Sequence, residues 1–400
     1  MPFFLYVLSL AVLAQGTSEF MLAGLVPDIA ADLGVSVPAA GALTSAFAVG
    51  MIVGAPLMAV VSMRWPRRRA LLAFLVTFLA VHVVGAVTTS YPLLLATRVV
   101  AALANAGFLA VALATAAALV APDAKGRATS VLLGGVTLAC VAGVPGGALL
   151  GQLWGWRSAF WAVALISVPA VVAIVRSVPG DVPAAAAVGG AGGAGGARGE
   201  LRALRRPRLL VVLLLGALVN GATFCTFTYL APLATDVTGL ADGWVPALLA
   251  LFGIGSFLGV TLGGRFADSR PLPLLAGGGV ALFAGWVVLG LTAGVPAAVV
   301  PLVLVQGTLS FAVGSTLIAR ALYEAVDAPR LGGGFATAAL NVGAALGPWA
   351  GGLAIDTGHG YRSAPWVSAA LAAVALATAA AAWLSTRAAT RPARAAAPAE

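Results

Sequence analysis

The chain has 400 residues, of which 61% are hydrophobic and only 9% are charged, and its formal net charge is +9. Soluble domains carry charged side chains at roughly 25% of their positions, so this composition excludes an ordinary soluble protein and indicates a polytopic membrane protein. A positive net charge would suggest a nucleic-acid partner in a soluble protein, but here the positions of the basic residues carry the information.

Twelve apolar runs are long enough to cross a bilayer core of about 30 Å, which needs about 20 residues of α-helix. They cover residues 3–26, 38–61, 70–88, 92–120, 128–151, 158–176, 209–231, 244–263, 273–294, 298–319, 333–354 and 364–386. The first run follows no basic segment and is longer than the apolar region of a signal peptide, so we predict that it is retained as a span.

The basic residues lie almost entirely on one side of this predicted arrangement. If both termini face the cytoplasm, nearly all of the 22 Lys and Arg residues fall in cytoplasmic loops, while Arg157 and Arg362 fall on the opposite side. This asymmetry is typical of inner-membrane proteins, whose cytoplasmic loops are rich in Lys and Arg. It predicts a multi-pass protein of the cell inner membrane with both termini in the cytoplasm.

An Ala/Gly tract at 184–199 divides the chain and is typical of a flexible linker. Related segments recur in the two halves, for example GAPLMAVV at 54–61 and GSFLGVTLGG at 255–264. We therefore predict an N-terminal six-helix bundle at 1–176, a cytoplasmic linker at 177–208, a C-terminal six-helix bundle at 209–386 and a tail at 387–400. Paired repeats with a site between them are typical of transporters.

Glu19 is the one acidic residue that lies well inside an apolar run. An ionisable group at that depth is energetically costly, which makes it a candidate functional residue. Gln15 and Ser18 share its helical face. Such a carboxyl group can exchange a proton as a site alternates between two aqueous phases, can bind substrate directly, or can serve only as a structural hydrogen bond between helices.

Arg98 lies near the start of the fourth run, where Asn105 follows it along the same helical face. A buried arginine needs a counter-charge or a wet cavity, since insertion of its charge at a helix centre costs about 2.5–3.5 kcal/mol. Two interpretations remain open: Arg98 is buried and coupled to proton movement, or its long side chain extends to the membrane surface.

Further polar and aromatic candidates lie in the C-terminal half. The seventh run supplies Asn220, Thr223, Phe224 and Phe227, and the tenth supplies Gln306 and Ser310 one turn apart. A mostly apolar cavity with a few polar groups suits a small, uncharged, amphipathic ligand. The alternative for each phenylalanine is a lipid-facing position.

The eleventh run carries widely spaced glycines and one proline, and the fifth carries a shorter version of the pattern. The positions are Gly334, Gly343, Gly347, Pro348, Gly351 and Gly352 in the eleventh run, and Gly134, Gly143, Pro145, Gly146, Gly147 and Gly151 in the fifth. The spacing G-x8-G-x3-G-P-x2-G-G resembles the antiporter signature of the drug/proton exporters of the major facilitator superfamily, where it is typical of the fifth span. The resemblance implies an all-α membrane fold of twelve helices in two pseudo-symmetric bundles.

Glycines allow two helix backbones to approach closely, and a proline bends its helix. We predict that such residues form a conformational hinge or seal between the two moving bundles, with ordinary tight packing as the alternative. The residues are Gly143, Pro145, Gly147, Gly343, Gly347, Pro348 and Gly351.

The loop after the second run, Met63 to Arg69, is similar to the superfamily's loop between its second and third spans, with Arg64 and Arg68 as its basic members. In the second half, Asp268 is the acid of the corresponding loop. We expect these three residues to latch one conformation, with binding to lipid headgroups as the alternative.

Sequence motifs for other chemistry are absent. His82 and His359 have no second ligand residue nearby, so we predict no metal site and interpret each as a satisfied or solvated side chain. No G-x4-G-K-[ST] sequence occurs, which argues against direct use of ATP. We therefore predict a protein that is not an enzyme, has no cofactor and takes its energy from a proton gradient.

The run from Ala14 to Leu75 and the segments RVVAALANAGFLAVALA and GALVNGATFCTFTYLAP resemble the chloramphenicol exporters of actinobacteria within the superfamily. This resemblance implies a proton-coupled antiporter that exports chloramphenicol, with Glu19 as the membrane acid and Arg98 in the coupling role. We expect a monomer that binds drug, protons and membrane lipids and no nucleic acid. The alternatives are export of an endogenous sugar or metabolite, and a membrane sensor or assembly factor without transport activity.

Overall fold

A computed structural model describes residues 3–62, 65–118, 125–178, 202–266, 271–325 and 332–390. Twelve helices in these ranges are long and apolar enough to cross a membrane, and no β-strand occurs among the described residues. We number them α1 Phe3–Phe20, α2 Val37–Ser62, α3 Arg67–Val87, α4 Tyr91–Ala118, α5 Lys125–Trp154, α6 Arg157–Ser177, α7 Pro207–Thr228, α8 Val245–Phe266, α9 Pro271–Thr292, α10 Pro296–Glu324, α11 Gly332–Ala354 and α12 Ser363–Thr390. The predicted twelve-helix fold class is confirmed.

The helix ends differ from the predicted spans by only a few residues at most positions. The last helix continues to Thr390, so it includes the first residues of the predicted tail. Most of the predicted linker lies outside the described residues, and its described end forms a short 3₁₀ helix at Arg202–Arg205. The domain boundaries therefore remain predictions.

The first predicted span is divided in the structure. Helix α1 ends at Phe20 and is followed by a 3₁₀ turn at Met21–Gly24 and a separate helix at Val26–Leu33. Gly34 ends this short helix with φ 64°, a left-handed conformation that glycine adopts without steric cost. We call the end of the bundle where α1 connects to α2 the distal end.

Helix α5 changes its winding near the middle of the span. A π-helical turn at Ala139–Gly143 separates two α-helical parts, and Pro145 follows directly. Proline lacks an amide hydrogen and π-turns displace the helical ladder, and both are established causes of helix bends. Gly253 of α8 packs against the carbonyl of Cys140 in this turn so closely that any side chain at 253 would overlap it.

An apolar core joins the two halves. One cluster of buried residues contains Ala48, Val144 and Ala148 from the first half together with Phe224 and Leu249 from the second. Two further clusters lie within the first half. Because the first cluster includes both halves, the interface between them is packed as a core in this conformation.

Contacts near the distal end hold the two halves together. The Ser45 hydroxyl on α2 donates to the carbonyl of Ala345 on α11 at 2.7 Å. Tyr229, fully buried just after α7, donates to the carbonyl of Pro348 at 2.9 Å, and a Cβ at Gly41 would lie 2.5 Å from its hydroxyl oxygen. Helices α2 and α11 are therefore packed tightly around Tyr229 near the distal end.

A second group of distal contacts fixes the helix at Val26–Leu33 within the first half. Asp32 pairs with Arg157 at the start of α6 and accepts the indole N–H of Trp156 at 3.2 Å. Arg157 also donates to the carbonyl of Thr88 at 3.0 Å and stacks on the Trp156 ring. The hydrogen bond from Arg157 lowers the pKa of Asp32 below its ordinary value.

Replacing Asp32 by asparagine is expected to cost little stability, and only while the carboxyl group of Asp32 is ionised. The pair is largely exposed, so its contribution is less than about 1 kcal/mol. Because the folded-state pKa is lowered, this stabilisation is present above the unfolded pKa and is lost as pH falls through the folded pKa. The difference in melting temperature between wild type and Asp32→Asn should be largest near pH 7 and should shrink as the pH falls through the lowered pKa of Asp32; a difference that does not change as the pH is lowered would contradict this account.

Candidate functional site

Arg98 is buried inside the first half with 1% of its surface exposed. Its guanidinium group donates to the hydroxyl of Ser18 at 2.8 Å and to the Ser18 carbonyl at 2.7 Å, and it lies 4.6 Å from the ring centre of Phe47. Ser18 belongs to the last turn of α1, where backbone carbonyls lack α-helical partners and a positive charge is favoured. Arg98 therefore caps α1 from α4, and the alternative in which it extends to the membrane surface is wrong.

Glu19 follows Ser18 and has a partly accessible side chain. The charges of Glu19 and Arg98 are close enough to interact, yet within the described ranges no hydrogen bond or ion pair joins the two side chains. One turn earlier, Gln15 is buried at 1% exposure, and neither atom of its amide has a partner in the described part of the chain. The structure thus places a carboxyl group, a guanidinium group and an open amide at the end of α1.

His82 belongs to this group of polar residues, although sequence reasoning interpreted it only as a satisfied side chain. It lies on α3 with 2% exposure, and its Nε2 atom is 2.6 Å from the Ser18 hydroxyl. Its Nδ1 atom is 2.7 Å from the carbonyl of Phe78. The side chain is hydrogen-bonded as expected, but its partner is the serine that holds Arg98.

Asn105, the other candidate on α4, contacts a different partner. Its amide lies 3.6 Å from the sulfur of Met51 on α2, and its side chain is buried. Asn105 therefore lies two turns beyond Arg98 and makes no hydrogen bond to Ser18 in the described structure.

A small apolar cavity lies between the halves, next to the end of α1. It is lined by Phe20, Cys140 and Val144 from the first half and by Thr223, Phe224, Phe227, Phe252 and Phe311 from the second. The ring centres of Phe20 and Phe224 are 5.7 Å apart across the interface, and those of Phe227 and Phe252 are 4.5 Å apart. Glu19 does not line the cavity, but it precedes Phe20 and its charge is close enough to act on Cys140 of the lining, so the carboxyl group lies near the cavity.

Phe224 and Phe227 are buried, so the lipid-facing alternative for these two residues is wrong. Sequence reasoning missed Phe20, Phe252 and Phe311 as lining residues. Phe252 and Phe311 lie on α8 and α10, and no local pattern distinguishes them from other apolar residues of those helices. Only the packing of four helices, α1, α7, α8 and α10, brings the rings together.

The remaining polar candidates of α7 are bonded to the backbone. Thr223 lines the cavity and donates to the carbonyl of Val219 in its own helix at 2.9 Å. Asn220 donates to the carbonyl of Leu340 on α11 at 2.7 Å. Asn220 therefore joins α7 to α11, whereas Thr223 has its methyl-bearing side chain at the cavity.

The candidates of α10 are buried and incompletely bonded. Gln306 donates to the carbonyl of Leu282 on α9 at 3.1 Å, while its own carbonyl oxygen has no partner in the described structure. It lines a second small cavity that also contacts Phe227 and Phe252. The Ser310 hydroxyl one turn later likewise lacks a described partner. An unpaired buried polar group costs about 1–3 kcal/mol, so both groups are suited to binding a ligand or water.

The glycines predicted to form a hinge between the bundles pack mainly within each bundle. A Cβ at Gly143 would overlap Thr17 on α1, and one at Gly147 would contact Met21 at 3.3 Å. In the second half, Gly343 and Gly347 lie against the backbone of α7, and Gly351 lies against Cys225 and Tyr229. They join α5 to α1 and α11 to α7, while α5 and α11 themselves also contact α8 and α2 of the opposite half. The hinge or seal role of these residues stays a prediction. Pro145 and Pro348 lie in the same helices.

The predicted loop latch lies mostly beyond the described residues. Arg64 and Asp268 fall outside the described ranges, and Arg68 is partly buried near the start of α3. The latch therefore stays a prediction.

A larger cavity of about 760 Å³ opens near the distal end. Asp28, Asp32, Gln152, Trp156 and Asp242 are among its lining residues. Burial raises the pKa of Asp28, and the nearby charge of Asp242 raises it further. Asp28 is thus part of a wide acidic depression lined by the segment that follows α1.

Twelve apolar helices in two halves, a buried arginine beside a membrane carboxyl group and an aromatic cavity between the halves are the features of a secondary membrane transporter. The chain matches the family model of the Major Facilitator Superfamily over residues 8–332 and belongs to that superfamily. It is a multi-pass drug-efflux transporter and not an enzyme.

Several known proteins are similar over nearly the whole chain. A chloramphenicol resistance protein of Streptomyces lividans is 58% identical over 376 residues, which cover 94% of this chain and 95% of that protein. The inner membrane transport protein YdhP of Escherichia coli is 35% identical over 373 residues, covering 93% and 94% of the two chains. A chloramphenicol efflux pump of Mycobacterium tuberculosis is 30% identical over 357 residues, covering 87% and 85%.

The fold also matches a solved structure. A bacterial homologue of the human lysosomal transporter Spinster, in an inward-facing occupied conformation, superposes with a TM-score of 0.76 at 17% identity and 96% coverage of both chains. At this identity, the similarity supports the fold alone.

Proposed function

We propose that this transporter exports chloramphenicol from the cytoplasm in exchange for protons. The observation that carries the proposal is the adjacency of the Glu19 carboxyl group to Arg98 on one side and to the aromatic cavity, through Phe20, on the other. A proton site and a drug site that adjoin can influence each other's occupancy. The choice of drug rests on the 58% identical chloramphenicol resistance protein.

The chemistry of the cavity suits a neutral amphipathic molecule. Its lining is almost entirely aromatic and aliphatic, which favours an apolar ring over a charged group. Gln15 at the end of α1, and Gln306 and Ser310 on α10, offer unpaired donors and acceptors for a few polar groups of the drug. None of the residues that line this cavity carries a charge, so a strongly charged substrate would lose its water there without a charged partner in the lining.

Proton coupling is explained by a movement of Arg98 between two partners. We assign the observed contact of the guanidinium group with Ser18 to the state in which Glu19 is protonated. When Glu19 loses its proton, the carboxylate attracts Arg98, since opposite charges in an apolar environment interact strongly. Glu19 then takes up a proton from outside and releases it inside, in alternation with drug movement.

The orientation and partners of the transporter follow from the sequence and the fold. The one-sided distribution of Lys and Arg supports a location in the cell inner membrane with both termini in the cytoplasm. Export needs no cofactor, because the proton gradient supplies the energy. The working unit in this proposal is a monomer surrounded by lipid, because the cavity is formed within one chain.

Proton-driven uptake of labelled chloramphenicol into inverted membrane vesicles tests the proposal. Wild-type protein is expected to accumulate the drug only with a proton gradient, and an uncoupler should remove the accumulation. Vesicles that contain well-inserted protein and accumulate no chloramphenicol would contradict the drug assignment and favour export of an endogenous sugar or metabolite. Accumulation that persists with the uncoupler would contradict proton coupling.

A further inference from the structure

His82 is a buried titratable residue to which the proposed transport cycle gives no role. It lies on α3 between the rings of Phe78 at 4.1 Å and Phe160 at 5.8 Å, and its two ring nitrogens both have partners. Buried ring nitrogens need hydrogen-bond partners, so the informative feature is which partner Nε2 has. That partner is the hydroxyl group of Ser18, which also accepts from Arg98.

The direction of each hydrogen bond around His82 follows from its partners. The Phe78 carbonyl only accepts, so Nδ1 carries the hydrogen, and the neutral imidazole leaves Nε2 as an acceptor. The Ser18 hydroxyl then donates to Nε2. A guanidinium group only donates, so the same Ser18 oxygen accepts from Arg98.

The surroundings favour the neutral form of this histidine. Helix α1 contributes Ser18 and the neighbouring Glu19, α4 contributes Arg98, and α6 contributes the apolar ring of Phe160. A second positive charge on His82 would repel Arg98 through a single intervening hydroxyl group. His82 therefore acts as a fixed acceptor in this arrangement rather than as a proton carrier.

We propose that His82 is a positioning residue for proton coupling, which sets the orientation of the Ser18 hydroxyl and thereby the strength with which Arg98 is held away from Glu19. The inference rests on the proposed function, in which Glu19 carries the proton. By accepting the hydroxyl hydrogen, Nε2 directs a lone pair of Ser18 towards the guanidinium group. Chains of hydrogen bonds polarise one another, so the bond from Arg98 is strengthened as well.

The expected consequence is a change in the proton requirement of transport. Without an acceptor at position 82, Arg98 is held less firmly on Ser18 and interacts more with ionised Glu19. Loading the site then needs a higher proton concentration. For His82→Phe, we expect the proton concentration for half-maximal drug uptake to rise about tenfold, which is one pH unit.

Two substitutions separate positioning from packing. His82→Phe keeps an aromatic ring between Phe78 and Phe160 but removes the acceptor, whereas the amide carbonyl of His82→Gln can accept from Ser18 as Nε2 does. Full-length wild type and both variants are reconstituted in liposomes, and gradient-driven chloramphenicol uptake is measured as a function of pH together with the melting temperature. The inference predicts a tenfold higher half-maximal proton concentration in His82→Phe. In His82→Gln, which restores the acceptor, it predicts a value close to that of wild type.

The outcomes that overturn the inference are distinct from failure of the proposed function. The inference is overturned if wild type and His82→Phe have equal half-maximal proton concentrations. It is also overturned if both variants shift equally and have lowered melting temperatures, because that result indicates a structural role. If wild type transports no chloramphenicol, the drug assignment fails. The pH dependence of tryptophan fluorescence is then measured for the same three proteins in detergent. A midpoint that is shifted in His82→Phe but close to wild type in His82→Gln supports the role of His82. Equal midpoints in all three proteins overturn it.

Discussion

Vesicles containing Glu19→Gln are expected to lose gradient-driven chloramphenicol accumulation, with a reduction of about tenfold or more to the level left by an uncoupler. The glutamine amide has a similar shape but binds no proton at physiological pH, so proton movement can no longer drive the drug. It also carries no charge to attract Arg98 from Ser18. The measurement is drug uptake into inverted vesicles with and without a proton gradient.

Exchange of labelled for unlabelled drug separates the two roles of Glu19. Exchange needs no net proton movement, so a variant that still exchanges drug has lost only coupling, whereas one that also loses exchange shows that the carboxyl group contributes to drug binding. Asp28→Asn is the matched control, since Asp28 lies in the distal cavity and not beside Arg98. Gradient-driven uptake that survives in Glu19→Gln would retain the exporter and assign the proton site to another residue.

The twelve spans were predictable because the bilayer imposes a strict requirement on the sequence. Each crossing needs about 20 apolar residues, and this requirement is readable from one segment at a time. The breaks within spans were not predictable in the same way. The end of α1 at Phe20 and the π-turn at Ala139–Gly143 depend on contacts with other helices, for example the approach of Gly253 to Cys140.

The residues of the candidate site likewise differ in whether one sequence segment is enough to identify them. Glu19 and Arg98 stand out in the sequence because charged groups are rare in apolar runs, so each was identified from its own segment. His82 was recognised as a polar residue in a span, but its link to Arg98 passes through Ser18 on a third helix. Phe252 has no distinguishing sequence signal, because its role depends on facing Phe227.

The second large effect is expected at the contact between α11 and α7. A Cβ at Gly347 would overlap the backbone carbonyl of Gly221, and a Cβ at Gly343 would overlap the carbonyl of Ala217. Backbone atoms cannot move aside as a flexible side chain can, so Gly347→Ala must push the two helices apart. We expect a loss of about 2–3 kcal/mol in stability, the upper range for overpacking, measured as a lower melting temperature and a lower yield of monodisperse protein.

Gly334→Ala is the matched control, because it makes the same substitution in the same helix and the same spaced motif. A Cβ at Gly334 would meet no atom within 4 Å, so the melting temperature should remain unchanged or rise slightly with the better helix propensity of alanine. Equal melting temperatures for Gly347→Ala and Gly334→Ala would contradict the packing account. If Gly347→Ala folds as stably as wild type but transports no drug, the glycine acts in the alternation between conformations.

Gly347→Ala should weaken transport as well as stability, because α7 also forms part of the wall of the cavity. Gly221 lies two residues before Thr223, and Phe224 and Phe227 follow on the same helix. A displacement of α7 large enough to admit one methyl group therefore moves these side chains relative to Phe20 across the interface. In the Gly347→Ala protein that does fold, we expect weaker drug binding, measured as a higher concentration for half-maximal exchange, whereas Gly334→Ala should match wild type in the same assay.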